Sequence, residues 1–195
     1  MSKKETILQA AATLFSKRGF KDTSIAELSK MTGAAQGTIF YHFKNKEELF
    51  LSILESLKES ITAQFQHYLM EKKFKTGLDM MEGAISFYFY MAGTNGDQFL
   101  LLHRHDAYEV AESNPACREH LEAIYNCLLD IFEQAVRLGQ KDGSIGDLPA
   151  RKTALIIFSM VDGLVRFETY KLYHAGALYN DLIMSCRSIL QNRRI

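Results

Sequence analysis

Apolar positions recur with helical spacing along almost the whole chain. Between residues 3 and 18, Ile7, Ala10, Ala11, Leu14 and Phe15 share one face, which predicts an amphipathic helix. Gly19 stands where a helix C′ residue belongs, and Phe20 follows as a hydrophobic anchor. Ser24 with Glu27 has capping-box spacing and opens a second helix over 24–31, with Ile25 and Leu28 inward. Gly33 breaks the pattern, and a short third helix is predicted over 35–42. Asn45, followed three positions on by Glu48, caps a fourth helix. Its apolar positions, Leu49, Phe50, Ile53, Leu54, Leu57, Ile61 and Phe65, carry it to residue 70, a rod on the order of 35 Å.

Beyond Gly77 the pattern stays helical and becomes more apolar. Residues 77–92 are apolar or aromatic on every side, as in a central, buried helix. A loop is expected over 93–97 and a single helix over 98–112, which contains the unusual run His103-Arg104-His105-Asp106. Asn114 and Pro115 open a helix to 141, and 142–147 reads as a loop. Pro149 opens a helix to 174 whose apolar middle holds Asp162 and Gly163, and a last helix spans 177–191. No strand pattern, repeat or low-complexity stretch interrupts this, so the fold class is all-α.

The first three helices have the order and turn of a helix-turn-helix. Ser29 is small where the two short helices cross, Gly33 can take a positive φ, and Ile39 is apolar where the third helix packs on the second. Ala34, Ala35 and Gly37 are small enough for close approach to a groove. The composition changes this picture only in detail. With 47% hydrophobic residues in 195, the chain can bury a core. The net charge is zero, but residues 1–50 hold eight Lys/Arg against five acids, a basic segment on an otherwise acidic chain. Three cysteines, Cys117, Cys127 and Cys186, without close pairing argue for a reducing cytoplasm and against a disulfide framework. The N-terminus lacks a signal-peptide pattern, and no apolar run approaches the roughly 20 residues of a membrane span.

Residues 7–50 resemble the TetR family of transcriptional regulators. The matching pieces are Ile7-Leu8-Gln9-Ala10-Ala11, Leu14-Phe15, Arg18-Gly19-Phe20, Thr23-Ser24-Ile25, Gly33, and the run from Gly37-Thr38-Ile39-Phe40-Tyr41-His42-Phe43 through Leu49. Ser29 and Thr32 depart from the family's usual alanine, and Gln36 from its frequent lysine. The rest of the chain matches only as a series of helices. The resemblance implies an N-terminal three-helix DNA-binding domain (1–62), joined by the long fourth helix to a C-terminal helical ligand-binding and dimerisation domain (63–195). It further implies a homodimer built through the last two helices, a palindromic double-stranded DNA operator, and release of that DNA by a small-molecule effector.

Candidate residues follow from chemistry at the expected positions. Gln36 can pair bidentately with adenine, and Thr38 can touch a thymine methyl or donate to a base or phosphate. Ala35 and Gly37 permit close approach. Tyr41, His42 and Lys46 are placed to grip phosphates, with Lys4, Thr23 and Ser24 as further contacts. Phe40 and Phe43 are expected in the core. In the body, Phe87, Tyr88, Met91, Phe99, His103, Tyr125, Leu128, Phe158 and Asp162 are candidates to line an apolar pocket with a few polar anchors, for an apolar or aromatic ligand. Asp162 and Arg166 have ion-pair spacing, and Gly163 suits a close helix contact at a dimer interface. His103 and His105 do not share a helix face, so no metal is expected, nor any cofactor. The resulting expectation is a cytoplasmic, ligand-responsive repressor and not an enzyme, since no catalytic constellation is present. The competing readings are a DNA-binding adaptor whose body holds a protein partner, and a helical enzyme or carrier.

Overall fold

A computed structural model describes residues 2–191. Among these, ten α-helices follow in order: α1 (Lys3–Arg18), α2 (Ile25–Thr32), α3 (Gln36–His42), α4 (Lys46–Glu71), α5 (Gly77–Thr94), α6 (Gly96–His103), α7 (His105–Ser113), α8 (Pro115–Asp142), α9 (Ala150–Thr169) and α10 (Tyr179–Gln191), with a 3-10 turn over Ala175–Leu178. The described residues contain no strand, and no described helix is long and apolar enough to cross a membrane.

Helix boundaries are set largely by local chemistry. Ser2 and Glu5 form a capping box at α1, and Ser24 and Glu27 form the one anticipated at α2. Asn45 Oδ1 accepts from the Glu48 N–H at 2.7 Å, starting α4. Three expectations fail. The loop expected over 93–97 shrinks to Asn95, because α5 runs on through Thr94 and α6 starts at Gly96. The single helix over 98–112 is broken at Arg104, whose backbone is extended (φ −69°, ψ 143°). The helix expected to reach residue 174 ends at Thr169: Lys171 turns to φ 55°, and Leu172 N–H bonds back to Phe167 O at 2.9 Å.

The chain folds into two compact units. One runs from the N-terminal residues through Ile61 and includes Asn95–Ile124; the other comprises Thr62–Thr94 and the chain from Tyr125 onward. In the first, Ile7, Ala11 and Phe15 of α1 bury with Leu28, Ile39, Phe43, Leu49, Phe50 and Leu54. The rings of Phe15, Phe20 and Phe50 meet pairwise at 5.1–5.9 Å between centroids. In the second, Met81, Ala84, Ile85 and Tyr88 of α5 bury with Leu128 and Phe132 of α8, Ile157 and Val161 of α9, and Cys186 and Leu190 of α10. The start of α5 runs so close to α8 that a Cβ on Gly77 would lie 1.9 Å from the Gly139 nitrogen. Asp142 seals that contact by accepting from the Gly77 N–H at 2.7 Å.

Candidate nucleic-acid interface

Hydroxyl groups and a glycine together build the turn between α2 and α3. Gly33 closes α2 in the left-handed region (φ 64°, ψ 11°), which glycine adopts without strain. Thr32 Oγ1 donates to Leu28 O at 2.8 Å and accepts from the Ala34 N–H at 3.3 Å. Ser29 Oγ donates to Ala34 O at 2.7 Å. Ser29 and Thr32, the two departures from the family's alanines, therefore tie the turn with bonds that alanine lacks. Leu28, Ala34 and Ile39 are buried beneath it.

On this turn α3 presents a solvent face. Ala35, Gln36 and Gly37 are exposed, Thr38 and His42 are half-buried, and Tyr41 is 84% exposed. Phe43 is buried, as expected, but Phe40 is 47% exposed and corrects the expectation that it packs in the core. The reason is helical phase: Phe40 lies four residues from Gln36 and three from Gly37, on the exposed side, whereas Ile39 points in. Tyr41 meets His42 edge-on at 5.2 Å, and Lys4 Nζ of α1 lies 5.7 Å from the Phe43 ring. Lys4, Tyr41 and His42 thus gather at the C-terminal end of α3.

Three expected phosphate contacts are engaged elsewhere. Thr23 is buried, with its hydroxyl donating to Gly19 O at 2.8 Å. Lys46 Nζ lies over the Phe20 ring at 4.5 Å and donates to the carbonyls of Phe20, Lys21 and Thr23 at 2.8, 3.3 and 3.1 Å. An ammonium has three donors, and here all three go to carbonyls of the α1–α2 loop, so Lys46 ties that loop to the start of α4. Ser24 is exposed, but its hydroxyl serves the capping box with Glu27. The Ser24 backbone N–H, then the Ser24 hydroxyl and Arg18, hold the Glu27 carboxyl below its ordinary value.

Within the run His103-Arg104-His105-Asp106, which carried no role in the sequence beyond a rejected metal site, Arg104 and Asp106 grip the end of α1 and the start of the same loop. Arg104 Nη1 donates to Ser16 O at 3.2 Å, and its Nε pairs with Asp106 Oδ2 at 2.9 Å. That carboxylate also accepts the Phe20 N–H at 3.3 Å. Gly19 has φ 101°, and a Cβ there would come within 2.7 Å of Asp106 Oδ2 and 2.8 Å of Arg104 Nη2. The extended backbone at Arg104 lets the α6–α7 corner deliver both charges to the end of α1. Lys21 and Glu109 add an exposed ion pair at 3.0 Å.

The candidate pocket residues divide. Tyr88, fully buried, donates its hydroxyl to Asp162, and Phe158 packs edge-on against Tyr88, Tyr125 and Phe132 at 5.5, 6.2 and 5.4 Å. Met91 and Leu128 are buried in the same unit. Phe132, absent from the sequence-based set, completes the cluster. Phe87 is instead stacked on Tyr68 at 4.2 Å, with Phe65 and Tyr90 beside it. Phe99 and His103 belong to the first unit, buried and 6.2 Å apart between rings.

A three-helix head with an exposed second helix-turn-helix element, carrying an amide, a glycine gap and aromatic rings, has the arrangement of a helix-turn-helix DNA-binding head. Residues 7–53 match the family model for bacterial regulatory proteins of the tetR family. The fatty acid metabolism regulator protein of Bacillus subtilis is 25% identical over 186 residues, covering 95% of this chain and 90% of that protein. The HTH-type transcriptional regulator QacR of Staphylococcus aureus is 43% identical over 60 residues, 31% of each chain. Among solved structures, the transcriptional regulator FadR from Bacillus subtilis in complex with stearoyl-CoA superposes with a TM-score of 0.77 at 23% identity, covering 96% of this chain and 99% of that one. Residues 7–53 therefore carry a tetR-family DNA-binding segment, and the chain as a whole shares the fold of that solved regulator.

Proposed function

We propose that the protein is a repressor that binds a palindromic operator as a homodimer and leaves it when a small, largely apolar or aromatic ligand binds the body. The observation that carries the DNA-binding part is the exposed face of α3, with Gln36 and Gly37 one turn from Phe40 and Tyr41. In this reading Gln36 and Thr38 read bases, Ala35 and Gly37 allow close approach, Phe40 touches thymine methyls, and Lys4, Tyr41 and His42 meet phosphates. Residues 1–62 are the DNA-reading part and 63–195 the sensing and dimerising part, residues 192–195 lying outside those described.

The apolar effector is supported by the Tyr88–Asp162 pair set among Tyr125, Phe132 and Phe158, a buried polar anchor in an aromatic surround. The relative named for fatty acid metabolism, and the stearoyl-CoA bound to its solved neighbour, favour long acyl thioesters as the first ligands to test. Dimerisation through α9 and α10 is supported by exposed Leu155, Ile156 and Phe167 on α9 and Met184 on α10. Gly163 lies within this α9 stripe, and a Cβ there would meet nothing in its own chain within 4 Å. Gel retardation of DNA upstream of the protein's own gene, with and without acyl-CoA and aromatic compounds, tests the reading. Binding with a salt-dependent affinity and release by one of these ligands is expected. Ligand-insensitive binding would refute the effector part.

A further inference from the structure

We propose that the first unit carries a second small-molecule site, separate from the Tyr88 cluster: a cleft of about 400 Å³ between α1, α4 and α6 that takes a neutral amphiphile bearing a hydrogen-bond donor. The volume lies near the small end of the roughly 300–1,000 Å³ usual for ligand pockets, enough for one ring and a short polar arm. Leu8, Leu57 and Leu101 supply an apolar wall from each helix, while Thr13, Ser56 and Gln98 supply neutral polar groups. Asp97 is the one ionisable residue lining the cleft, and it is already compensated by Lys17 at 3.7 Å. No uncompensated charge therefore calls for an ionic ligand.

Gln98 gives the site its polarity. Its Oε1 is shut off from solvent and has no hydrogen-bond partner among the described residues. A buried acceptor without a donor is costly, so a donor entering the cleft gains by drawing the carboxamide onto itself. Helix α1 is the wall shared with the head. Ile7, Ala11 and Phe15 pack the head's core, and Leu8 and Ala12, the next positions round the helix, border the cleft. Occupancy thus acts on the helix that carries Lys4 towards the end of α3. This regulatory consequence rests on the DNA-binding reading; binding in the cleft does not.

The test is a titration of the full-length protein, methyl-labelled at Ala, Ile and Leu, with 3-phenylpropan-1-ol followed by NMR. Saturable shifts are expected at Leu8, Ala12, Ile53, Leu57 and Leu101. Propylbenzene, the same skeleton without the hydroxyl, should bind about fivefold more weakly, the worth of about one hydrogen bond. Gln98→Leu should erase that difference, and Ala12→Trp should fill the cleft and abolish the shifts. Should Ala12→Trp disrupt α1, Ser56→Trp blocks the same volume from α4. Shifts that are absent, that fall instead on methyls of the second unit, that survive the blocking variants or that ignore the hydroxyl overturn the proposal. Gel retardation on the same samples separates the two readings: saturable shifts in a protein that retards no DNA leave the site standing and remove the regulator.

Discussion

Gln36 and Tyr41 share α3 but should fail differently when changed. If Gln36 reads a base as proposed, Gln36→Ala removes its bidentate partner and is expected to relax preference at that position by about 1–3 kcal/mol. Tyr41→Phe removes one phosphate donor and should weaken binding to all sequences about fivefold. Retardation assays across an operator randomised one position at a time distinguish the two, and uniform weakening by Gln36→Ala would exclude it as a reader. Lys46 is a different case. Its three carbonyl partners belong to the α1–α2 loop, so Lys46→Ala should lower unfolding stability by about 1–3 kcal/mol before any DNA is added. Chemical denaturation of the free protein checks this; an unchanged midpoint would return Lys46 to the DNA surface. At this scale, residue type in sequence announced chemistry well and placement poorly. A lysine at the start of a helix and an aromatic in a run of aromatics each fit two environments, and only the packing around Phe20 and the phase of α3 chose between them.

The helices themselves were legible because their ends are local. Ser24 and Glu27, Gly33, and Asn45 with Glu48 act within a few residues, and each stands where spacing put it. The break at Arg104 was not legible, since the contact it serves lies 88 positions away, at Ser16 O. That contact makes the α6–α7 corner a support for the end of α1. Arg104→Ala should therefore free the loop over residues 19–23, read as at least tenfold faster amide exchange there with α9 unaffected. Protection that stays intact in the loop would show that Lys46 alone suffices.

For the whole molecule, two expectations concern assembly and pH. The stripe of Leu155, Ile156 and Phe167 predicts that Leu155→Glu with Ile156→Glu yields monomers in light scattering and loses operator binding, because paired half-sites require paired heads. A dimer that persists would move the interface elsewhere. For pH, Glu27, Glu133 and Asp142 all have lowered folded-state pKa values, Glu133 chiefly through Arg137 and Arg151, and Asp142 chiefly through the Ser144 hydroxyl. A depressed carboxyl stabilises the fold above its unfolded value and loses that contribution as pH falls through its folded one. Melting temperature should therefore hold down to the ordinary values of the glutamate and aspartate carboxyls, 4.5 and 3.8, and decline below them. Glu133→Gln should lower the plateau and shallow the decline; an acid profile unchanged by it would remove Glu133 from the account.

The amino-acid sequence by itself determined the all-α class, the helix-turn-helix head and its likeness to the tetR family over residues 7–53, because periodicity, caps and turn glycines act over a few neighbouring positions. Only the tertiary structure decided that Phe40 faces outward, that Thr23 is buried and Lys46 ties the α1–α2 loop, that Phe87 leaves the aromatic cluster while Phe132 completes it, and that Arg104 and Asp106 close on Gly19 and Phe20. Those outcomes depend on which distant backbone atoms come within hydrogen-bonding and van der Waals reach, and no local spacing encodes that.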